Sequence, residues 1–162
     1  MNVNFLGENI SLRPTNLSDA KKSAQWMNDS EVIKFLGISG VVTAVSRKIF
    51  LSKMLRSKNE KNFSIIEKKT GEYIGNIYIY NIHWKKRNAE VGIFIGEKRA
   101  WGKGYGTEAI ELIKAYAFED LNFCKLYLST YEENVGAIKS YKKAGFIEKR
   151  KKENLLFFEL IH

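Results

Sequence analysis

Three glycines at alternate positions, Gly102, Gly104 and Gly106, stand just before Thr107-Glu108-Ala109-Ile110-Glu111-Leu112-Ile113, where apolar residues recur at helical spacing. Ahead of them lie an alternating apolar segment, Glu90 to Ile95, and a short charged turn through Arg99. A strand, a glycine-rich turn and a helix start gather backbone N–H groups where they can hold an anion, usually phosphate. Two familiar phosphate loops are excluded by spacing. From Gly96 to Gly102 there is one residue too many for a P-loop, and Gly104 stands where its magnesium-binding hydroxyl belongs. In the dinucleotide fingerprint, Gly106 would come one residue early. A second group lies downstream: Asn134, Ala137, Ile138 and Tyr141 share one face of a helix, with Asn134 and Tyr141 two turns, about 10 Å, apart.

The elements that must carry these residues follow from periodicity. Ile10 to Arg13 reads as a short strand stopped by Pro14. Three helical segments follow: Leu17 to Met27, capped by Ser18 or Asp19, then Glu31 to Leu36, ended by Gly37, then Val45 to Arg56. This region offers few groups of obvious chemistry, and Trp26 reads as core. Strands are expected at Asn62–Glu67 and Tyr73–Ile82 around a Lys69–Glu72 turn, and at Ala89–Ile95 after a polar loop from His83 to Asn88. A helix then runs to about Leu121, followed by a strand at Lys125–Tyr131, a helix at Val135–Ala144 and a hairpin of Phe146–Lys151 with Leu155–Ile161. The order implies one α/β (α+β) domain over residues 1–162, with a mixed, mostly antiparallel sheet and one central β-α-β crossover.

A chain of 162 residues, 44% of them apolar, can bury a sizeable core. No apolar run reaches the roughly 18 residues of a membrane span, and the N-terminus lacks the pattern of a signal peptide. The single cysteine, Cys124, agrees with a reducing cytoplasm and reads as a buried, inert thiol. No Cys/His cluster has metal-ligand spacing, so no metal is expected. The net charge of +9 is spread along the chain rather than striped, which favours a lysine-rich surface over a nucleic-acid interface.

Trp101 to Gly106, with Thr107-Glu108-Ala109 behind it, resembles the acyl-coenzyme A pyrophosphate loop of the GNAT N-acetyltransferases. That loop usually opens on Gln or Arg; here Trp101 takes the position, and a backbone N–H serves equally well there. Asn134 to Phe146 resembles the family's second signature, N-x-x-A-I/L-x-x-Y-x-x-x-G-F. Leu12-Arg13-Pro14 together with Trp26 to Val32 resembles the RimJ/RimL-like branch. The resemblance implies the GNAT fold and acetyl-CoA as co-substrate, with direct transfer to an amine in a ternary complex. The acceptor would be a protein N-terminus or a small molecule, and the protein a monomer or homodimer.

In that setting, backbone from Ile93, Phe94 and Ile95 would pair with the pantetheine arm, and an N–H near Phe94 would polarise the thioester carbonyl. Trp101, Gly102, Lys103, Gly104, Tyr105, Gly106 and Thr107 would hold the pyrophosphate, with Arg99 a further phosphate contact. Asn134 and Ala137 would line the pantetheine. Tyr141, with a phenol pKa near 10 against about 8.5 for a thiol, would protonate the leaving thiolate. An alkylamine is neutral in only about one molecule per thousand at pH 7, so a base helps; Glu90, on the face of Gly92 and Phe94, is the candidate, ahead of His83. The acceptor pocket is expected from the N-terminal helices and the His83–Asn88 loop. A non-catalytic module binding acyl-CoA or an amine, and a nucleic-acid binder, are the competing readings.

Overall fold

Residues 4–162 are described by a computed structural model. Alternating apolar residues build one eight-stranded sheet from β1 (Phe5–Leu6), β2 (Ile10–Pro14), β3 (Lys61–Glu67), β4 (Glu72–His83), β5 (Asn88–Ile95), β6 (Lys125–Tyr131), β7 (Ile147–Lys152) and β8 (Leu155–Ile161). Their order is β1-β2-β3-β4-β5-β6-β8-β7. Every neighbouring pair is antiparallel except β5 and β6, the pair joined by a helical crossover. The helices are α1 (Ala20–Met27), α2 (Ser30–Ile33), α3 (Ala44–Arg56), α4 (Tyr105–Ala115) and α5 (Val135–Lys143).

Strand alternation sorts the core into two layers. Ile65, Ile77, Ile79, Val91, Leu126 and Phe158 pack with Ile110 and Ile113 of α4 and Tyr141 of α5 in one cluster. Tyr73 packs with Trp26, Met27 and Val32 of α1 and α2 in the other. Each fully buried Ile or Leu contributes about 1.5–3 kcal/mol, so both faces hold their helices by burial.

The β5–β6 ladder carries the feature that matters most. It is in register only from Asn88 to Glu90 against Lys125 to Tyr127. Beyond that, β5 runs on to Ile95 and β6 to Tyr131 without pairing to each other. The strands splay and leave one edge of β5 open in the interior of the sheet.

Several expectations are corrected. The second helix stops at Ile33 rather than Leu36, and the first is preceded by a 3-10 turn capped by Asn16. Asp19 is not a cap for α1: it is buried against Arg13, whose Nη2 lies 2.6 Å away. The helix expected to reach Leu121 is α-helical only to Ala115, then widens into a π-turn through Asp120. Cys124 is exposed, because neighbouring Phe123 takes the buried position while the thiol meets the Lys86 carbonyl at 3.5 Å.

Candidate functional site

The splay opens a cleft of about 600 Å³ lined by Ile93 to Ile95, the glycine loop, and the inner side of α5. Gly104, with φ +81°, is the N-cap of α4 and offers no side-chain cap. Such a left-handed turn suits glycine. The first-turn N–H groups of α4 have no partners within the helix and open into the cleft, as an anion site requires. Glu108, in that first turn, is drawn away: its carboxylate accepts from the Asn9 and Ile10 amides at 2.8 and 3.2 Å.

Two further glycines leave open space in the cleft. Gly106 and Gly136 both line it, and neither has a positive φ. A Cβ at Gly106 would meet nothing closer than the Ile93 Cδ1 at 3.9 Å, and one at Gly136 would meet nothing within 4 Å. No protein atom requires glycine at either position, but a ligand lying along the open β5 edge and across α5 would. Elsewhere glycine does answer to packing: a Cβ at Gly96 would sit 2.0 Å from the Trp26 ring.

The predicted residues divide. Ile93, Phe94, Ile95, Trp101, Gly102, Gly104, Tyr105, Gly106, Asn134, Ala137 and Tyr141 meet around the one cleft. Trp101 is anchored by its indole N–H, which donates to the Ile95 carbonyl at 2.8 Å, so it ties the loop to the strand end. Asn134 caps α5, its Oδ1 accepting from the Ala137 amide at 3.4 Å and its Nδ2 donating to Thr130. Thr107 turns its hydroxyl to Ser140 at 3.0 Å and so fastens α4 to α5. Tyr141 is only 5% exposed; burial, with a smaller contribution from Tyr78, pushes its pKa well above the phenol range, so it stays protonated at any working pH.

Arg99 and Lys103 are not among the cleft-lining residues. The Arg99 guanidinium pairs with Glu67 at 2.7 Å and with Glu72, and Lys103 lies 3.7 Å from the same Glu67 carboxylate. Arg99, expected as a further phosphate contact, is thus paired with the buried Glu67. Glu67 also accepts from the Tyr105 hydroxyl at 2.9 Å and from Thr70 at 2.7 Å. Hydrogen bonds from Thr70, then Arg99, lower its carboxyl to about 2. Sequence reasoning missed Glu67, because it sits some thirty residues before the loop it holds.

Glu90 lies on the opposite side of the sheet from the α4 core, half-buried, with Oε1 accepting from Asn81 at 2.9 Å. It pairs across the ladder with Tyr80, as Gly92 does with Tyr78. Burial first, and then the adjacent Glu90 carboxylate, push the Tyr80 hydroxyl upward, with smaller effects from Tyr78 and Tyr141. Tyr80 thus lies within electrostatic range of both Glu90 and Tyr141.

On this face a second cavity, about 310 Å³, lies beneath α3, with Tyr78, Tyr80 and Phe94 in its wall; Phe94 also lines the cleft. Met27 of α1 and Arg47, Phe50, Leu51 and Met54 of α3 line it, and no residue of the His83–Asn88 loop does. His83, Lys86 and Asn88 line, together with Glu90, a separate 700 Å³ hollow over β6 and β8. Among the described residues no group of His, Cys, Asp or Glu could hold a metal, and no helix is long and apolar enough to cross a membrane.

Known proteins resemble this chain in sequence and in fold. A family model described as an acetyltransferase (GNAT) domain matches residues 9–147. The uncharacterized N-acetyltransferase p20 of Bacillus licheniformis is 32% identical, over 92% of this chain and 83% of its own. The spermidine N(1)-acetyltransferase of Escherichia coli K12 is 31% identical, over 85% of this chain and 72% of its own. The crystal structure of spermidine N-acetyltransferase from Vibrio cholerae in complex with CoA and spermine superposes with a TM-score of 0.86 at 20% identity, covering 96% of each chain. With the family model spanning most of the sequence and a splayed, glycine-lined cleft beneath it, this chain belongs to the GNAT family of acetyl-CoA-dependent N-acetyltransferases.

Proposed function

We propose that this domain transfers the acetyl group directly to a primary amine in a ternary complex, without an acyl-enzyme. The observation that carries the reading is the convergence, in one cleft, of an open strand edge, an uncapped helix N-terminus and a buried tyrosine. The only thiol in the chain, Cys124, lies outside that cleft. The Leu12-Arg13-Pro14 and Trp26–Val32 segments support placing the domain in the RimJ/RimL-like branch, the lone cysteine supports a cytoplasmic location, and it acts as a monomer or homodimer.

Acetyl-CoA, when bound, supplies a thioester whose carbonyl carbon is the electrophile. The N–H groups along Ile93 to Ile95 hold the pantetheine and polarise that carbonyl; the first turn of α4 holds the pyrophosphate. Glu90, beside the Tyr80 hydroxyl, accepts a proton from the ammonium. The amine nitrogen then bonds to the carbonyl carbon as the C–S bond breaks. Tyr141 gives its proton to the departing sulfur and regains one from the nitrogen, so that one proton is released to solvent overall. Burial raises Tyr141, and the same desolvation raises a thiol leaving within the same cleft, so the two stay matched.

Thiol release from acetyl-CoA with a panel of alkylamines, polyamines and peptides tests this reading. Release that depends on an added amine supports it. Release with none of them would favour a domain that binds acyl-CoA without turnover.

A further inference from the structure

The cavity beneath α3 holds a cation without a carboxylate partner and a buried amide donor without an acceptor. Arg47 lines it, half-buried, with Nε donating to Ser23 at 2.8 Å and its guanidinium 4.9 Å from the Phe50 ring. Among the described residues no carboxylate lies within ion-pair distance of it. Asn62, 9% exposed and in the same wall, has a buried Nδ2 with no hydrogen-bond partner. A buried donor left unmade is costly, and an arginine fork suits a planar, two-oxygen acceptor.

The two donors also have a defined place along the sheet. Asn62 on β3 stands opposite Tyr78 on β4, which stands opposite Gly92 on β5. The same row therefore runs from Asn62 to the open edge where the thioester would lie. From β5 to β3 is two strand spacings, about 10 Å. One residue pair along, Glu90 lies opposite Tyr80, and Glu60 lines the cavity at that end, so the carboxylates lie on the Tyr80 side. Glu90 thus lies on the β5 side, while Glu60, two residues before Asn62, shares the β3 side of the cavity that Arg47 also lines.

Resting on the amine-acetylation reading above, we infer that the acceptor is an amine that also bears a carboxylate, an amino acid or short peptide whose carboxylate docks on Arg47 and Asn62. Burial lowers the pKa of the Arg47 guanidinium, only partly offset by Tyr73 and Tyr78, as expected of a cation held without its counter-ion. A polyamine would instead place a second positive charge beside Arg47.

Three acceptors of similar length separate these cases: 6-aminohexanoate, hexylamine and 1,6-diaminohexane. The wild type should favour the amino acid over the diamine by about tenfold or more in kcat/KM. Arg47→Gln should lower kcat/KM for 6-aminohexanoate by about 10- to 100-fold and collapse that preference. Arg47→Lys should restore part of it, and unchanged binding of acetyl-CoA shows that the variants fold. Calorimetric binding of 6-aminohexanoate to the CoA-loaded protein gives a readout that needs no turnover. Binding by the wild type that Arg47→Gln abolishes, with no amine acetylated, would sustain the carboxylate site while overturning acetyl transfer. Preference for the diamine, an equal loss on all three acceptors, or no binding of the amino acid would overturn the inference.

Discussion

The glycine-lined cleft and the cavity beneath α3, proposed above as donor and acceptor sites, share Phe94 but are built by opposite means. Around the cleft, backbone does the recognising: an open β5 edge, the first turn of α4, and glycines at 102, 104, 106 and 136. Around the cavity, side chains do it: Arg47 from α3, Asn62 from β3, Tyr78 and Tyr80 from β4. A backbone site is specified by residues close together in sequence, because the turn and the helix start are local. A side-chain site is specified only by which elements are brought together. The first suits a donor whose arm and pyrophosphate never change; the second can be altered one residue at a time.

The contrast predicts separable kinetics. Tyr141, at the back of the cleft, should show the largest effect: Tyr141→Phe should lower kcat about 100-fold or more while leaving KM for acetyl-CoA nearly unchanged, measured by thiol release. Because burial holds its pKa far above 10, the wild-type rate should show no loss of the donor as pH rises to 10. Full activity in the phenylalanine variant would remove Tyr141 as the acid.

Glu67 ranks next. Glu67→Gln keeps the shape but releases Arg99 and Lys103, so KM for acetyl-CoA should rise roughly threefold to tenfold with little change in acceptor KM. The pH dependence has a definite sign. A carboxyl lowered from 4.5 to about 2 stabilises the fold above pH 4.5, and that contribution is lost as pH falls from 4.5 toward 2. The acid limb of a Tm–pH curve should therefore be shallower in Glu67→Gln than in the wild type.

Gly136→Ala sharpens the comparison differently. It should stabilise α5 by about 0.5 kcal/mol, seen as a small rise in Tm, yet raise KM for acetyl-CoA about threefold, since the added methyl enters ligand space. Tighter binding of acetyl-CoA would show that Gly136 faces away from the donor. Met54→Ala, in the acceptor wall, should be mildest: about a twofold to fivefold change in acceptor KM, with donor KM unmoved. A shift in donor KM would mean that the two sites are not independent.

The residues read from sequence follow the same division. The run from Ile93 to Tyr105, with Asn134 and Tyr141, meets in one cleft because strand period, glycine turn and helix period are all local signals. The pairing of Arg99 was not legible because its neighbours in sequence say nothing of Glu67 and Glu72 across two strands. Arg47 gave no signal at all: on a helix of mixed charge it is one basic residue among several, and only the packing of α3 over β3 and β4 encloses it.

By itself, then, the sequence determined the order of strands and helices, the anion-binding turn ahead of α4, and the tyrosine two turns along α5, all of which depend on spacings of a few residues. Tertiary packing alone makes β5 and β6 part company after Glu90, gives the charge of Arg99 to Glu67, and leaves Arg47 without a carboxylate and the Asn62 Nδ2 without an acceptor in one cavity. Those outcomes turn on long-range register and burial, where a single carboxylate or strand spacing settles which groups are satisfied.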